Sequence, residues 1–529
     1  MRRCFPPSIR RALDELPETL DGTYGRALLG IDKQKQDSAY RLFQCLVISI
    51  RPLRVEELAE VFAIQPHANT TLGFNAEWRP ENPEEFVLST CSTLVTVVNV
   101  DGEKIVQFSH FSVREYLTSS RIANSERASY FHICQKPAHS LLARACLSVL
   151  LQLDDHINEE AVQNFPLARY AAQYWVEHVR FGNVLSDIQE EMDCLFDKNK
   201  PYFAAWIWLY DIEHPWGRYS LMPHPTEPDT VPLYYAVLCG FRDLAERLLV
   251  VHAQDVNARG GDHETPLHAA FEQGHPDIAL LLLERGADVG SRGNLRQTPL
   301  YMASSRGYAE VVQSLIDRGA DLNAECDDMD EHGYHMKGTP LLVASKHRRL
   351  DIARTLLEGG ADVNYRDDHG WSALHLALHR QYDDLAQLLL DHGANPNVSD
   401  VNGSTTLHEA SSQGRTKFVK LLFEYGANVN ARDKRGETAL HKAARWGYLD
   451  VVQLLLDHGA DTNAKGDNLW TSLHEAAWSG NLQVVDLLLK SGADAHALNE
   501  EGETSFQLAT RETYPEVAQL LSERTGERI

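Results

Sequence analysis

The sequence predicts a mainly α protein, in which a helical N-terminal region carrying one β-hairpin leads into a solenoid of two-helix units that runs to the C-terminus. Three observations carry this reading. Leu233, Leu267, Leu300, Leu341, Leu374, Leu407, Leu440, Leu473 and Phe506 hold one place in a Thr-Pro-Leu-His-like tetrapeptide, at spacings of 34, 33, 41 and then 33 residues. Gly-Ala-Asp or Gly-Ala-Asn recurs in phase at Gly286, Gly319, Gly360, Gly393, Gly426, Gly459 and Gly492. Upstream, apolar stripes at helical spacing give way once to β-rich runs joined by Asp101-Gly102, a hairpin signal.

In chain order, residues 1–37 read as a helical lead-in. Leu42, Phe43, Leu46, Val47 and Ile50 then mark a helix that Pro52 stops, Leu58, Val61 and Phe62 mark a second, and residues 84–93 a third. With residues 94–100 and 104–109 as the hairpin, residues 38–123 make a winged-helix domain. That domain holds seven Lys or Arg against ten Asp or Glu, and its third helix opens with Glu84 and Glu85. Acids in that place argue against phosphate contact and so against reading DNA. Residues 124–227 form a helical linker domain with two more stripes, Leu141, Leu142, Ala145, Val149 and Leu150, then Leu167, Tyr170, Ala171, Tyr174 and Trp175. An aromatic cluster of Tyr202, Trp206, Trp208, Tyr210 and Trp216 follows, placed to seat the first unit of the array.

Residues 228–525 hold about nine units, the outer two degenerate. In the unit from Lys434 to Asn463, Thr438 caps the first helix, Leu440 enters the core, Ala443 and Ala444 allow close helix approach, and Gly447 turns the chain back. Val451, Val452, Leu454, Leu455 and Leu456 give the second helix its stripe, and Gly459 closes it in a left-handed cap. No such pair buries its apolar face alone, so the units must stack. The period and wording resemble the ankyrin repeat. That resemblance implies a protein-binding array.

Three ordered segments, R-L-F-Q-C-L-V-I-S-I-R-P-L-R-V-E-E-L-A-E-V, L-S-T-C-S-T-L-V and V-Q-F-S-H-F-S-V-R-E-Y-L, resemble the winged helix that follows the nucleotide-binding domain of fungal NACHT-ankyrin proteins, also described as the winged helix of GPI inositol-deacylase-like proteins. The resemblance covers residues 12–180 and implies a signalling switch. The chain carries no G-x-x-x-x-G-K-[ST] loop, so nucleotide switching does not follow from it. The reading is of a truncated paralogue or of the C-terminal piece of a longer protein.

Chemistry finds little support. His474-Glu475 and His408-Glu409 begin like a zinc motif, yet Trp478 and Ser412 stand where the second histidine belongs. The tetrapeptide histidines His268, His375, His408, His441 and His474 are expected to order their turns instead. No G-x-S-x-G occurs, which also disfavours a deacylase, and Cys134 near His132 and His139 reads as a structural thiol. The eight extra residues between Leu300 and Leu341 place Asp328, Asp330 and Gly333 as in a calcium loop but put Thr339 at the bidentate acid, so a lengthened finger is expected. No enzyme activity, cofactor or metal is expected. A net charge of -25 opposes nucleic acid and anionic lipid. Scattered cysteines and the lack of an apolar run of membrane length suggest a cytoplasmic protein, with the nucleus left open.

The expected partner is a protein or peptide. The two positions before the residue that breaks each first helix, usually glycine, line a groove, and there Arg306, Lys346, Arg380 and Arg445 face the single acid Glu272, with His347, His379, Trp446 and Trp478 between them. Arg and Trp are the usual binding anchors. The groove therefore predicts an acidic partner with an apolar anchor, and the finger tips His369, Trp371 and Trp470 offer a second contact line.

Overall fold

The computed structural model describes residues 18–64, 74–154, 157–182, 184–210, 212, 231–260, 264–329 and 335–526. The chain divides into two compact units, Met1–Gln254 with Arg259–Gly261, and Asp255–Ala258 with Asp262–Ile529.

In the first unit, helices Gln36–Ile48, Val55–Phe62 and Pro83–Cys91 surround a small antiparallel sheet. Its strands are β1 (Leu53–Arg54), β2 (Val95–Val100) and β3 (Glu103–Phe108), in the order β1-β3-β2. Val95 lies opposite Phe108 and Val100 opposite Glu103. Asp101 and Gly102 close that register with φ of 51° and 90°, a double left-handed turn that glycine and aspartate tolerate. The two-residue strand β1 has too little pattern to be read from sequence, and Ile50, counted with the first stripe, lies beyond the helix and is 41% exposed. Leu42, Phe43, Leu58, Val61 and Val106 form the core.

Helix Gln135–Leu150 packs along helix Ala168–Val179, and a polar chain is buried between them. Tyr170 Oη lies 3.0 Å from His178 Nε2, and His178 Nδ1 lies 3.0 Å from His139 Nδ1. Trp206, buried, donates its indole N–H to the Ala172 carbonyl at 3.0 Å and meets Trp175, Phe196 and Phe203. Tyr235 and Phe241 complete this cluster from helices Pro232–Leu238 and Arg242–Val250, so the helix pair at the start of the repeat register shares the core of the first unit. Trp216 lies outside the described residues. Of the cysteines, Cys45, Cys91, Cys146, Cys239 and Cys326 are buried, whereas Cys134 is exposed.

The second unit stacks eight described helix pairs, from Pro266–Gln273 with Pro276–Glu284 to Ser505–Arg511 with Pro515–Thr525. Each first helix starts from a Thr or Ser cap. At the pair Ala439–Trp446 and Leu449–Asp457, His441 Nδ1 accepts from the Thr438 N–H at 3.1 Å, which leaves the Nε2–H to donate to the Trp470 carbonyl of the next unit at 3.1 Å. His408 and His474 repeat this bridge to Glu437 and Glu503. The histidines order their turns as read, and they also tie neighbours together. Burial pushes His441 down to about 4, which keeps the neutral ring that this pattern needs.

A second ladder runs along the turns. Asn364, Asn397, Asn430 and Asn463 each accept a backbone N–H from the next unit at 2.7–2.8 Å and donate to the carbonyl of its Gly393, Gly426, Gly459 or Gly492. Asn257 makes the same pair of bonds. The next position in phase is Gly290, which has no side chain to offer.

The inserted residues form a hairpin of β4 (Cys326–Met329) and β5 (His335–Gly338), with Cys326 opposite Gly338 and Met329 opposite His335. Cys326 seats its base in the core beside Tyr301 and Val343. Asp330 and Gly333 lie outside the described residues, and Thr339 caps helix Pro340–Lys346 by accepting from the Leu342 N–H at 3.4 Å.

Candidate functional site

Each groove residue sits at the C-terminal end of a first helix or at the cap just after it. Arg306 ends helix Pro299–Arg306, Lys346 ends Pro340–Lys346 with His347 as its cap, and His379 ends Ala373–His379 with Arg380 as its cap. Arg445 and Trp446 end helix Ala439–Trp446, and Trp478 ends Ser472–Trp478. Stacking then brings the rows of successive units side by side. At Gly414 and Gly480 the fit is tight: both have positive φ, and a Cβ would lie 2.6 Å from the ring of Tyr448 or Tyr514 in the following unit. Any side chain there would push the units apart.

The middle of the groove is basic. Arg306, His347, Arg348, Arg349 and Arg380 are all exposed. His347 reports the local field: partial desolvation of the ring, then Lys346, Arg349 and Arg380, hold its imidazole below the ordinary histidine range, against the opposing pull of Asp328. Part of this charge is answered within the chain. Lys346 Nζ lies 2.9 Å from Asp328 Oδ2, Arg348 lies 3.2 Å from Asp384, and Arg415 pairs with Asp383. The Arg349 guanidinium lies over Gly307, in the preceding unit beside Arg306.

Toward the C-terminus the character changes. Arg445 lies between the carboxylates of Glu437 and Glu475, both with side chains 3% exposed, and Lys442 pairs with Glu437 and Asp433. The acids hold the Arg445 guanidinium firmly charged, so this arginine is committed to the fold. Glu437 was not singled out in the sequence and Glu475 was weighed only as part of a zinc-like pair, although Glu437 eight positions before Arg445 and Glu475 thirty after it are the spacings that reach it. Trp446 remains 62% exposed and Trp478 42% exposed.

Fingers and groove meet. Trp470 packs edge-on against Trp478 at 6.0 Å, and Trp371 against His379 at 5.0 Å, so the two rows form one surface at these units. His379 Nδ1 also lies 3.3 Å from Glu409. His369 is exposed at its finger tip, where its N–H donates to Asp367 at 2.9 Å. Leu469, 47% exposed, adjoins Trp470 and was missed because a single finger leucine has no periodic signal.

A family profile described as ankyrin repeats (3 copies) matches residues 233–326, 300–400, 366–433, 396–466 and 426–499, together about half of the chain. The chain belongs to the ankyrin-repeat family. A second ankyrin profile, for many copies, matches residues 479–521. Azaphilone pigments biosynthesis cluster protein L of Monascus ruber is 31% identical over 295 residues, which is 52% of this chain and 60% of that protein. Alpha-latrocrustotoxin-Lt1a of Latrodectus tredecimguttatus is 38% identical over 55 residues, 10% of this chain and 4% of the toxin. The chain thus spans less than two thirds of either relative. Ankyrin arrays support a role in protein–protein interaction. Among the described residues, no helix is long and apolar enough to cross a membrane.

Proposed function

We propose that this ankyrin array is a non-catalytic scaffold that holds a protein segment along its groove, with acidic residues of the partner over the middle and an apolar anchor at the C-terminal end. The observation that carries this reading is the division of the groove. Arg306, Lys346, His347 and Arg380 lie where the field is positive, while Trp446, Trp478 and Trp470 lie where Arg445 is already neutralised. An exposed tryptophan surface of this kind supplies large contact area at low entropy cost. The aromatic–histidine pair Trp371 and His379, with His369 beyond it, extends the contact to the fingers. The test is capture of one identified partner by the full chain. Trp446→Ala with Trp478→Ala should abolish capture while the far-ultraviolet spectrum stays unchanged, and undiminished capture refutes the anchor.

A second reading is that the chain is the sensor portion of a NACHT-type switch. It is favoured by the element order of the first unit, three helices with a short strand and a hairpin, which fits a winged helix. In this reading the module joins protein to protein rather than protein to DNA, since Glu84 on its third helix pairs with Lys104 on the hairpin at 2.6 Å. Sequencing the 5′ end of the transcript decides it: an in-frame phosphate-binding loop upstream supports the switch, and an in-frame stop codon rejects it.

A further inference from the structure

The single break in the repeat period puts an acidic strand against the basic groove. Strand β4 carries Asp327 and Asp328, and its base is held on three sides. Cys326 is buried beside Tyr301 and Val343, the Gln297 amide donates to the Asp327 carbonyl at 3.3 Å, and on β5 the Lys337 N–H donates to Asp368 Oδ2 at 3.1 Å. The hairpin is thereby positioned by contacts that do not involve the groove cations. Asp328 nevertheless reaches Lys346, at 2.9 Å, with both side chains only about a quarter exposed (26% and 22%). A carboxylate at hydrogen-bond distance from an ammonium, supplied by the one inserted segment, is the contact an acidic partner would otherwise make.

We propose that Asp328 is a built-in competitor for the groove: the hairpin occupies Lys346 with an internal carboxylate, and an acidic partner segment must displace it to bind. This rests on the groove reading above and adds its regulation. The competitor is weak by design of geometry, since a partly exposed ion pair contributes little and exchanges readily. It therefore sets a threshold that isolated acidic side chains fail and a segment engaging Arg306 and His347 together with Lys346 passes.

The test uses the full-length chain and a fluorescein-labelled hexaglutamate peptide, followed by fluorescence anisotropy at low ionic strength. Asp328→Asn keeps the size of the side chain and removes its charge, and it should tighten peptide binding about fivefold, the range of one partly exposed ion pair. The gain should vanish in Asp328→Asn with Lys346→Ala. Asp328→Ser serves as the second variant if the first shifts the thermal transition. If Lys346→Ala weakens binding but neither Asp328 variant strengthens it, the competitor is refuted and the groove reading stands. If Lys346→Ala and the Asp328 variants all bind as the parent does, the groove reading falls and the competitor with it.

Discussion

Asparagine at Gly290 should stabilise the array, because it would fill the rung missing between Asn257, which accepts the Asp288 N–H, and Asn323, which accepts the Asp362 N–H at 2.7 Å. Gly290 lies outside the set of positive-φ glycines, and a Cβ there would meet only Asp288 Oδ1 at 3.5 Å, an ordinary contact. The neighbouring rungs fix what the new side chain would do: its oxygen would accept from the Asp321 N–H and its amide would donate to the Gly319 carbonyl, as Asn257 does with Asp288 and Gly286. Two solvent-exposed hydrogen bonds contribute about 0.5 kcal/mol each at the lower end of the usual range. Replacing a glycine at a permitted φ adds about 0.5 kcal/mol through the unfolded chain. The sum is roughly 1–2 kcal/mol. In urea, with a slope of about 3 kcal/mol/M, the midpoint should rise by about 0.3–0.7 M. Amide exchange gives the local check, since the Asp321 N–H should gain protection. An unchanged or lower midpoint, with Asp321 exchanging as before, would refute the ladder as a stabilising device.

The remaining expectations concern charge and aromatic exposure. Arg445→Ala should cost about 3 kcal/mol, because Glu437 and Glu475 would stay buried without their shared cation, and Glu475→Gln in the same chain should recover part of the loss in thermal unfolding. Trp446→Ala should leave the unfolding free energy within about 0.5 kcal/mol of the parent, as befits a side chain 62% exposed, and a larger loss would show that it is structural. In the first unit, burial pushes His139 down to about 4 and His178 to about 3, so both bind protons more readily when unfolded. Their contribution is complete above about pH 6.5 and is lost as pH falls toward these values, at up to about 1.4 kcal/mol per histidine per pH unit. A transition temperature flat from pH 7 to pH 5, or equally steep in His178→Gln, would contradict this.

Periodicity made most of the array legible. A unit that recurs states its own spacing many times, so Thr438, Leu440, Gly447 and Gly459 each take the place their pattern implied. The hairpin at Asp101-Gly102 was legible for a local reason, two residues that accept positive φ between alternating runs. What escaped was non-local. The acids that neutralise Arg445 lie in different units, the competitor of Lys346 lies in the one aperiodic insertion, and β1 is two residues long. Such contacts depend on how separate segments are brought together in space, and no window of adjacent residues contains them. Among the groove residues the positions were readable, while the state of each charge was not.

The aromatic cluster around Trp206 decides where the chain can be dissected. A fragment starting near residue 228 takes Tyr235 and Phe241 away from Trp175, Phe203 and Trp206, and so bares two rings to solvent on one piece and a broken indole nest on the other. A cut in the segment 255–261, where the chain passes from one compact unit to the other, leaves that cluster whole, and it is there that separable pieces should be sought.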